Sequence, residues 1–449
     1  MAAKVLIPSG ALGITYSKEA LKEGLKNKPD IIVIDGGSTD SGPAYLGQGV
    51  SKYSRATTKS EWKVLMEARA SLNIPLVIGS AGTCGTNTSV DWFLKITQEI
   101  AKELGQKPKI TILKCSQSKT NIIDAFKKGS LKSLQFAPQI SEELINDCTN
   151  IVGLAGVEQI SKAINTGADI IIAGRSTDAS LIASYPIMKG IDKGAAWHAG
   201  KIGECGAFCT TKPKTGVVII SFDKLGFIVE PMEKNSYATP DSVAAHMVYE
   251  NSDPFILKEP GGCLNVTEAT YKKINKQAVR VEGSKWISDQ SYTIKLEGAH
   301  IAGYQNLSMV LVREKNYVEN VDQWISQIKE KAEKLVSKTL GLGIKNYSLE
   351  FRLVGKNATL GPLERNNTLP CEIGVLGIVT AQNQHNAEEI GKILNPLLLH
   401  HSLFEDGELP TFAFPFSPPS FNLGAKYEFC LNHAIKLKDP MEIFQLEEL

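Results

Sequence analysis

Two clusters of polar residues carry the side-chain types that acid–base chemistry needs. The first is Asp35, Ser38, Thr39, Asp40 and Tyr45, and the second is Arg175, Ser176 and Asp178, followed by His198, Lys201, Glu204 and Cys205. Together they supply a base, an acid and an anion clamp, the set required to add or remove water beside a carboxylate or thioester. Arg175 is the candidate clamp, because a guanidinium can hold a carboxylate through two parallel hydrogen bonds. Asp40 or His198 is the candidate base, and Asp178 and Glu204 are the other candidate catalytic groups. A single histidine is as often a satisfied core residue, but imidazole titrates near neutrality and Glu204, Arg175 and Asp178 are close in sequence. Ser38, Thr39 and Ser176 are candidate substrate-binding hydroxyls, or else simply end their strands in turns.

The elements that must position these groups are two strands with the same ending. Residues 29–40 read Pro-Asp-Ile-Ile-Val-Ile-Asp-Gly-Gly-Ser-Thr-Asp, and residues 168–178 read Ala-Asp-Ile-Ile-Ile-Ala-Gly-Arg-Ser-Thr-Asp. An apolar run without polar alternation is how a strand buried on both faces of a parallel sheet reads. Ligands of such sheets gather beyond the carboxyl ends of the strands, so both phrases are expected to aim Asp40 and Asp178 into one cleft. A third strand, 75–78, runs into a loop containing Gly82, Thr83, Gly85 and Thr86 before a helix capped by Thr88 or Ser89. Backbone amides there could hold an anionic end of the substrate. The glycine spacing matches neither the phosphate loop nor the dinucleotide fingerprint. A divalent ion, if one takes part, finds hard oxygen ligands in Asp35, Asp40 and Asp178, although no spacing marks a site and no cofactor is demanded.

Strand and helix patterns alternate through 109–113, 121–128, 150–152 and 157–166. This predicts an α/β N-terminal domain with a mainly parallel, open sheet over residues 1–215, followed by a smaller α+β domain over 216–449. The C-terminal domain begins with strands at 216–222 and 226–229, and Glu259-Pro260-Gly261-Gly262 reads as a tight turn beside a carboxylate. Strands at 292–296 and 308–312 precede a helix capped by Asn320, with Val321, Trp324, Ile325, Ile328, Ala332 and Leu335 along one side. Strands at 347–354 and 372–380 and a helix at 387–394 complete a layer suited to an interface. Phe412, Phe414 and Phe416 are expected to pack over a neighbouring surface, and the adjacent His400 and His401 diverge too much to form a metal pair.

Bulk properties exclude some classes of function. Of 449 residues 22% are charged, the net charge is +1, and no basic stripe stands out, which argues against nucleic-acid binding. No apolar run approaches the ~20 residues that span a bilayer, and the chain enters a strand at once without a signal-peptide layout, so a cytoplasmic protein with no membrane partner is expected. The eight cysteines are scattered and read as reduced thiols, and the pair Cys205 and Cys209 lacks zinc-knuckle spacing.

The phrase Ile34-Asp35-Gly36-Gly37-Ser38-Thr39-Asp40, the following Gly42-Pro43, the segment Gly153-Leu154-Ala155-Gly156-Val157-Glu158, and Gly167 through Asp178 resemble the acyclic terpene utilisation (AtuA-type) family. Val248-Tyr249-Glu250-Asn251-Ser252-Asp253-Pro254 is similar to that family's Tyr-Glu-x-x-x-Asp-Pro segment. The resemblance is close over residues 4 to 290 and looser beyond. It implies a catabolic protein that handles a carboxylic acid or its coenzyme A thioester, with a small partner protein encoded nearby. Pro43-Ala44-Tyr45-Leu46-Gly47 departs from the family pattern.

The leading expectation is therefore a lyase or hydratase, working as a homo-oligomer on a small carboxylic acid or acyl-CoA thioester. The alternative is a non-catalytic binding or scaffold subunit that works with a small protein partner.

Overall fold

The computed structural model describes residues 2–214, 216–366 and 368–449; Met1, Asn367 and Thr215, the last at the expected domain boundary, lie outside the described residues. The central strands alternate with period two between two apolar layers. Val5, Val33, Val77, Leu113 and Ile171 face one layer, and Leu6, Ile32, Ile34, Ile78, Ile112 and Ile172 face the other. Each fully buried aliphatic side chain contributes roughly 1.5–3 kcal/mol, so covering both faces is what holds these short strands. Helices Lys18–Lys26, Arg55–Leu72 and Asn87–Leu104 cover one face through Leu21, Trp62, Leu65, Phe93 and Ile100. Helices Val157–Ile164, Asp178–Met188 and Lys193–Gly203 cover the other through Ile160, Leu181, Ile182 and Ile202.

Five strands run parallel in the order Ala3–Ile7, Ile31–Asp35, Leu76–Gly79, Ile170–Ala173, Ile110–Lys114. The two strands of the repeated phrase thus lie in one layer, with one strand between them. Antiparallel strands extend this core. Val218–Phe222, Gly226–Pro231, Val279–Glu282 and Thr270–Lys273 follow in turn beyond Ala3–Ile7, and Gln445–Glu448 closes the opposite edge. The fold is mixed α/β. The expectation of a mainly parallel sheet describes only its centre, because the flanking hairpin strands pair by long-range register that a local pattern does not reveal.

Leu76–Gly79 and Ile170–Ala173 are neighbours, yet the chain leaves the first toward Asn87–Leu104 on one face and the second toward Asp178–Met188 on the other. A crevice opens where adjacent connections diverge in this way.

The chain divides into two compact units, Met1–His300 with Phe429–Leu449, and Ile301–Glu428. Residues 216–300, assigned from sequence to the C-terminal domain, fall in the first unit. In the second unit, strands Tyr347–Val354 and Ile373–Ala381 pair antiparallel, and Ile373–Ala381 pairs with 304–312. Helices Val321–Leu340 and Gln384–His400 bury Trp324, Ile328, Ile390 and Leu394 with that sheet. The two expected strands before this helix are one, Thr293–Val312. Asn320 stands at the helix start without a side-chain cap and instead donates to the Asn316 carbonyl at 2.9 Å. The cysteines are not all free thiols: Cys148 and Cys430, both in the first unit, form a disulfide.

Candidate active site

Arg175 follows the strand Ile170–Ala173 by two residues and is 7% exposed. Its Nε donates to Glu297 Oε2 at 3.0 Å, its Nη1 to Ser80 Oγ at 3.1 Å and the Ser176 carbonyl at 3.4 Å, and its Nη2 to Thr39 Oγ1 at 3.5 Å. Thr39 Oγ1 donates in turn to Glu297 Oε2 at 3.1 Å, and Lys295 Nζ meets Glu297 Oε1 at 2.9 Å. Burial alone would raise the Glu297 pKa, but the charges of Arg175 and Lys295 outweigh it and hold it at about 2. The guanidinium is therefore occupied by protein partners, so the expected clamp role does not fit Arg175. Lys295, also paired with Glu297, has a side chain that is 41% exposed and walls two cavities.

Around this ion pair stand carboxyl groups pushed in the opposite direction. Asp35, 6% exposed, accepts the Gly37 amide at 2.7 Å through Oδ2, while its Oδ1 has no partner. Burial first, then the charge of Asp178, raise its pKa well above the carboxylate range. Asp178, partly buried at the first turn of Asp178–Met188, is raised to about 6 by burial, with Asp40 and Glu250 adding and Arg175 and Lys201 opposing. Glu204 and Glu259 are both raised to about 8, again by burial first, with Asp178 adding and Lys201 opposing. Lys201, 3% exposed, donates to Glu204 and to the Tyr249 carbonyl. Glu259 Oε2 has no partner.

Two cavities meet at Lys295. One, about 410 Å³, is lined by Thr39, Asp40, Lys295, Glu297 and Asn432, with Phe429 on its apolar side. The other, about 210 Å³, is lined by Thr177, Glu259, Lys295, Leu154 and Ile294. Asp40 is exposed and accepts from Ser38 Oγ at 2.5 Å. Asp40 and Asp178 thus belong to one electrostatic cluster.

Other expected site residues are placed differently. His198, fully buried, shares a 2.7 Å hydrogen bond with Ser284 Oγ through Nδ1, has Tyr271 Oη 3.4 Å from Nε2, and packs edge-on against Phe227. Burial lowers its pKa to about 3, so it is a core histidine and not a base. Around the loop of Gly82, Thr83, Gly85 and Thr86 several amides are already taken. Ser80 and Ala81 amides bond to Gly174 and Ala173 carbonyls, Thr83 N to Gly36 O, Cys84 N to Gly82 O and Asn87 N to Ser116 Oγ. Thr83 Oγ1 accepts from Lys52 N at 3.0 Å, and Thr86, not Thr88 or Ser89, caps the helix by accepting from Ser89 N. The loop also fixes the backbone behind Arg175, through the 3.1 Å bond from Arg175 N to Gly85 O. Ser176 is fully buried and its Oγ has no partner. Among the described residues no group of three or more histidine, cysteine, aspartate or glutamate side chains could hold a metal ion, so Asp35, Asp40 and Asp178 do not form such a set.

Sequence inspection missed Lys295 and Glu297 and took Glu259 for a turn residue. The turn exists, with Gly261 at φ +78° between the strands Ile256–Glu259 and Gly262–Asn265, and it presents Glu259 to the smaller cavity. The signal for the other two was a charged pair alternating with Ile294 and Leu296, both nearly inaccessible.

No curated protein and no solved structure matches this chain. The family profile described as acyclic terpene utilisation family protein AtuA matches residues 53–403, more than half of the chain. The match contains the second Ser-Thr-Asp phrase with Glu204, Glu259, Lys295 and Glu297, and begins after the first phrase. By this match the chain belongs to the acyclic terpene utilisation family AtuA.

Proposed function

We propose that the protein is a catabolic lyase or hydratase acting on a small carboxylic acid or its thioester, with Asp178 as base and Glu259 as acid. The family's role in acyclic terpene utilisation supports the catabolic assignment. The observation that carries the rest is the separation of pKa values between two interacting carboxyl groups beside the smaller cavity, which Thr177 and Glu259 line: Asp178, next to Thr177, at about 6 is mostly ionised at neutral pH, and Glu259 at about 8 is mostly protonated. Environments that drive the pKa values of neighbouring carboxyl groups apart assign acid and base. In dehydration, Asp178 takes the proton from the carbon beside the carbonyl. The carbon–carbon double bond forms as the neighbouring carbon–oxygen bond breaks, and Glu259 gives its proton to the departing hydroxyl, which leaves as water. The proton on Asp178 must then return to Glu259 before the next turnover; Glu204 and Lys201 are charged or titratable groups beside both. Lys295 would hold the carbonyl oxygen or carboxylate, where negative charge develops.

The test uses short-chain 3-hydroxy acids and their thioesters in deuterated water, read by NMR for exchange of the proton beside the carbonyl and for loss of the hydroxyl. Asp178→Asn should abolish exchange, and Glu259→Gln should keep exchange while slowing water loss. If no compound of either type exchanges or stabilises the protein, and neither substitution alters ligand-induced melting shifts, the enzyme reading is wrong and a non-catalytic subunit is the better description.

A further inference from the structure

A third cavity, about 600 Å³, shares Leu134, Lys258, Glu259, Thr293 and Ala434 with the 210 Å³ chamber. Its walls carry three lysines from three segments: Lys132, Lys258 and Lys436. Lys132 stands opposite Ala434 in an antiparallel pair, and Lys436 lies two residues further along the same face, which sets their backbones roughly 7–8 Å apart on the diagonal. Lys258 comes from the strand Ile256–Glu259. All three are exposed, and none makes an ion pair among the described residues, whereas Lys59, Lys63, Lys114, Lys201 and Lys295 are each matched to a carboxylate. The carboxyl groups of this cavity are Glu259 and Asp289. Ser130 and Ser291 add hydroxyls. Three unmatched like charges on one concave wall repel each other unless an anion occupies the space between them.

We infer that this cavity binds the phosphates of a handle carried by the substrate, so that the acyl end reaches Glu259 and the anionic end is held by Lys132, Lys258 and Lys436. The inference rests on the chamber being the reaction site. Volume supports it, because a short free acid needs only the smaller chamber, while the connected spaces suit a ligand with a reactive end and a separate anionic end. Lysine serves such groups as a point charge and tolerates several phosphate geometries. A nucleotide-diphosphate thioester of the coenzyme A type and a simple phosphorylated acid share this chemistry.

The full-length protein is titrated by calorimetry at fixed low salt with inorganic pyrophosphate, coenzyme A and glycerol phosphate as probes. Pyrophosphate should bind, and Lys258→Ala with Lys436→Ala should weaken it about tenfold per ammonium removed, as loss of a charge-assisted hydrogen bond implies. The double arginine variant should retain binding, which separates charge from a folding defect. Tighter binding of coenzyme A than of glycerol phosphate selects the thioester source, and the reverse selects the phosphorylated acid. Absence of binding, or equal binding by wild type and the double alanine variant, overturns the inference. A thioester truncated to N-acetylcysteamine distinguishes this failure from failure of the proposed chemistry, because it lacks phosphate and should still exchange its proton through Asp178.

Discussion

Glu259→Gln should make the protein more stable in alkaline solution. The folded pKa of Glu259 is about 8 against an ordinary 4.5, so the folded state holds this proton more tightly than the unfolded chain does. The resulting stabilisation is complete below pH 4.5 and is lost as pH rises through about 8. At ~1.36 kcal/mol per pH unit, that interval caps the loss at about 5 kcal/mol. Glu259 is only partly buried and borders two cavities, where solvent relieves some of the penalty, so we expect on the order of 2 kcal/mol. Glutamine keeps the shape and removes the ionisation. Urea unfolding at pH 5, 7 and 9 at constant salt, followed by tryptophan fluorescence, reads the difference. Trp62, Trp92, Trp197 and Trp286 all lie in the first unit with Glu259, so the signal reports mainly on it. The variant should match wild type at pH 5 and exceed it at pH 9, while losing turnover. Parallel loss of stability in both proteins between pH 5 and 9 would refute the claim that burial raises this carboxyl.

Glu297→Ala should destabilise the first unit by about 3–5 kcal/mol at neutral pH, because it leaves the buried Arg175 charge unmatched. The Glu297 carboxylate is held at about 2, so its contribution is present above 4.5 and disappears as pH falls through about 2; wild type and Glu297→Gln should converge in urea unfolding as the solution is acidified toward pH 2. Gly85→Ala places a Cβ 2.0 Å from Arg175 N at φ +60°, whereas Gly105→Ala, at φ +64°, meets nothing within 4 Å. Melting should show about 1–2 kcal/mol for Gly105→Ala from backbone conformation alone and clearly more for Gly85→Ala, and equal losses would contradict the close approach. The ring resonances of His198 should not titrate between pH 5 and 8, as NMR can establish directly, and an inflection near neutrality would return it to the list of candidate bases.

The central strands were legible because apolar runs ending in glycine describe strands covered on both sides, and that pattern is local. The hairpin Val218–Phe222 and Gly226–Pro231 was legible as two strands but not as belonging to the first unit, since its register with Ala3–Ile7 spans a long stretch of chain. Helix Val321–Leu340 was visible in its stripe, although Val336 is the buried residue at the end of the stripe and Leu335 is only partly covered. The electrostatic proximity of Asp40 and Asp178 was readable from matching strand ends. The satisfaction of Arg175 was not, because its main partner Glu297 arrives from a strand 122 residues away. Neither was the isolation of His198, because neighbours in sequence can face opposite sides of a helix.

The second unit is an insertion: residues 301–428 interrupt a body that resumes at Phe429. Cys430 is tied to Cys148, Ile435 lies opposite Leu131, and Gln445–Glu448 zips onto Ile110–Lys114. On the ribosome, the first unit must therefore wait, with the edge of Ile110–Lys114 unpaired, while an entire second globule is being made. An unpaired strand edge invites association with other nascent chains. Rapid collapse of residues 301–428 would shorten that interval of vulnerability by drawing the severed segments of the first unit within reach of each other.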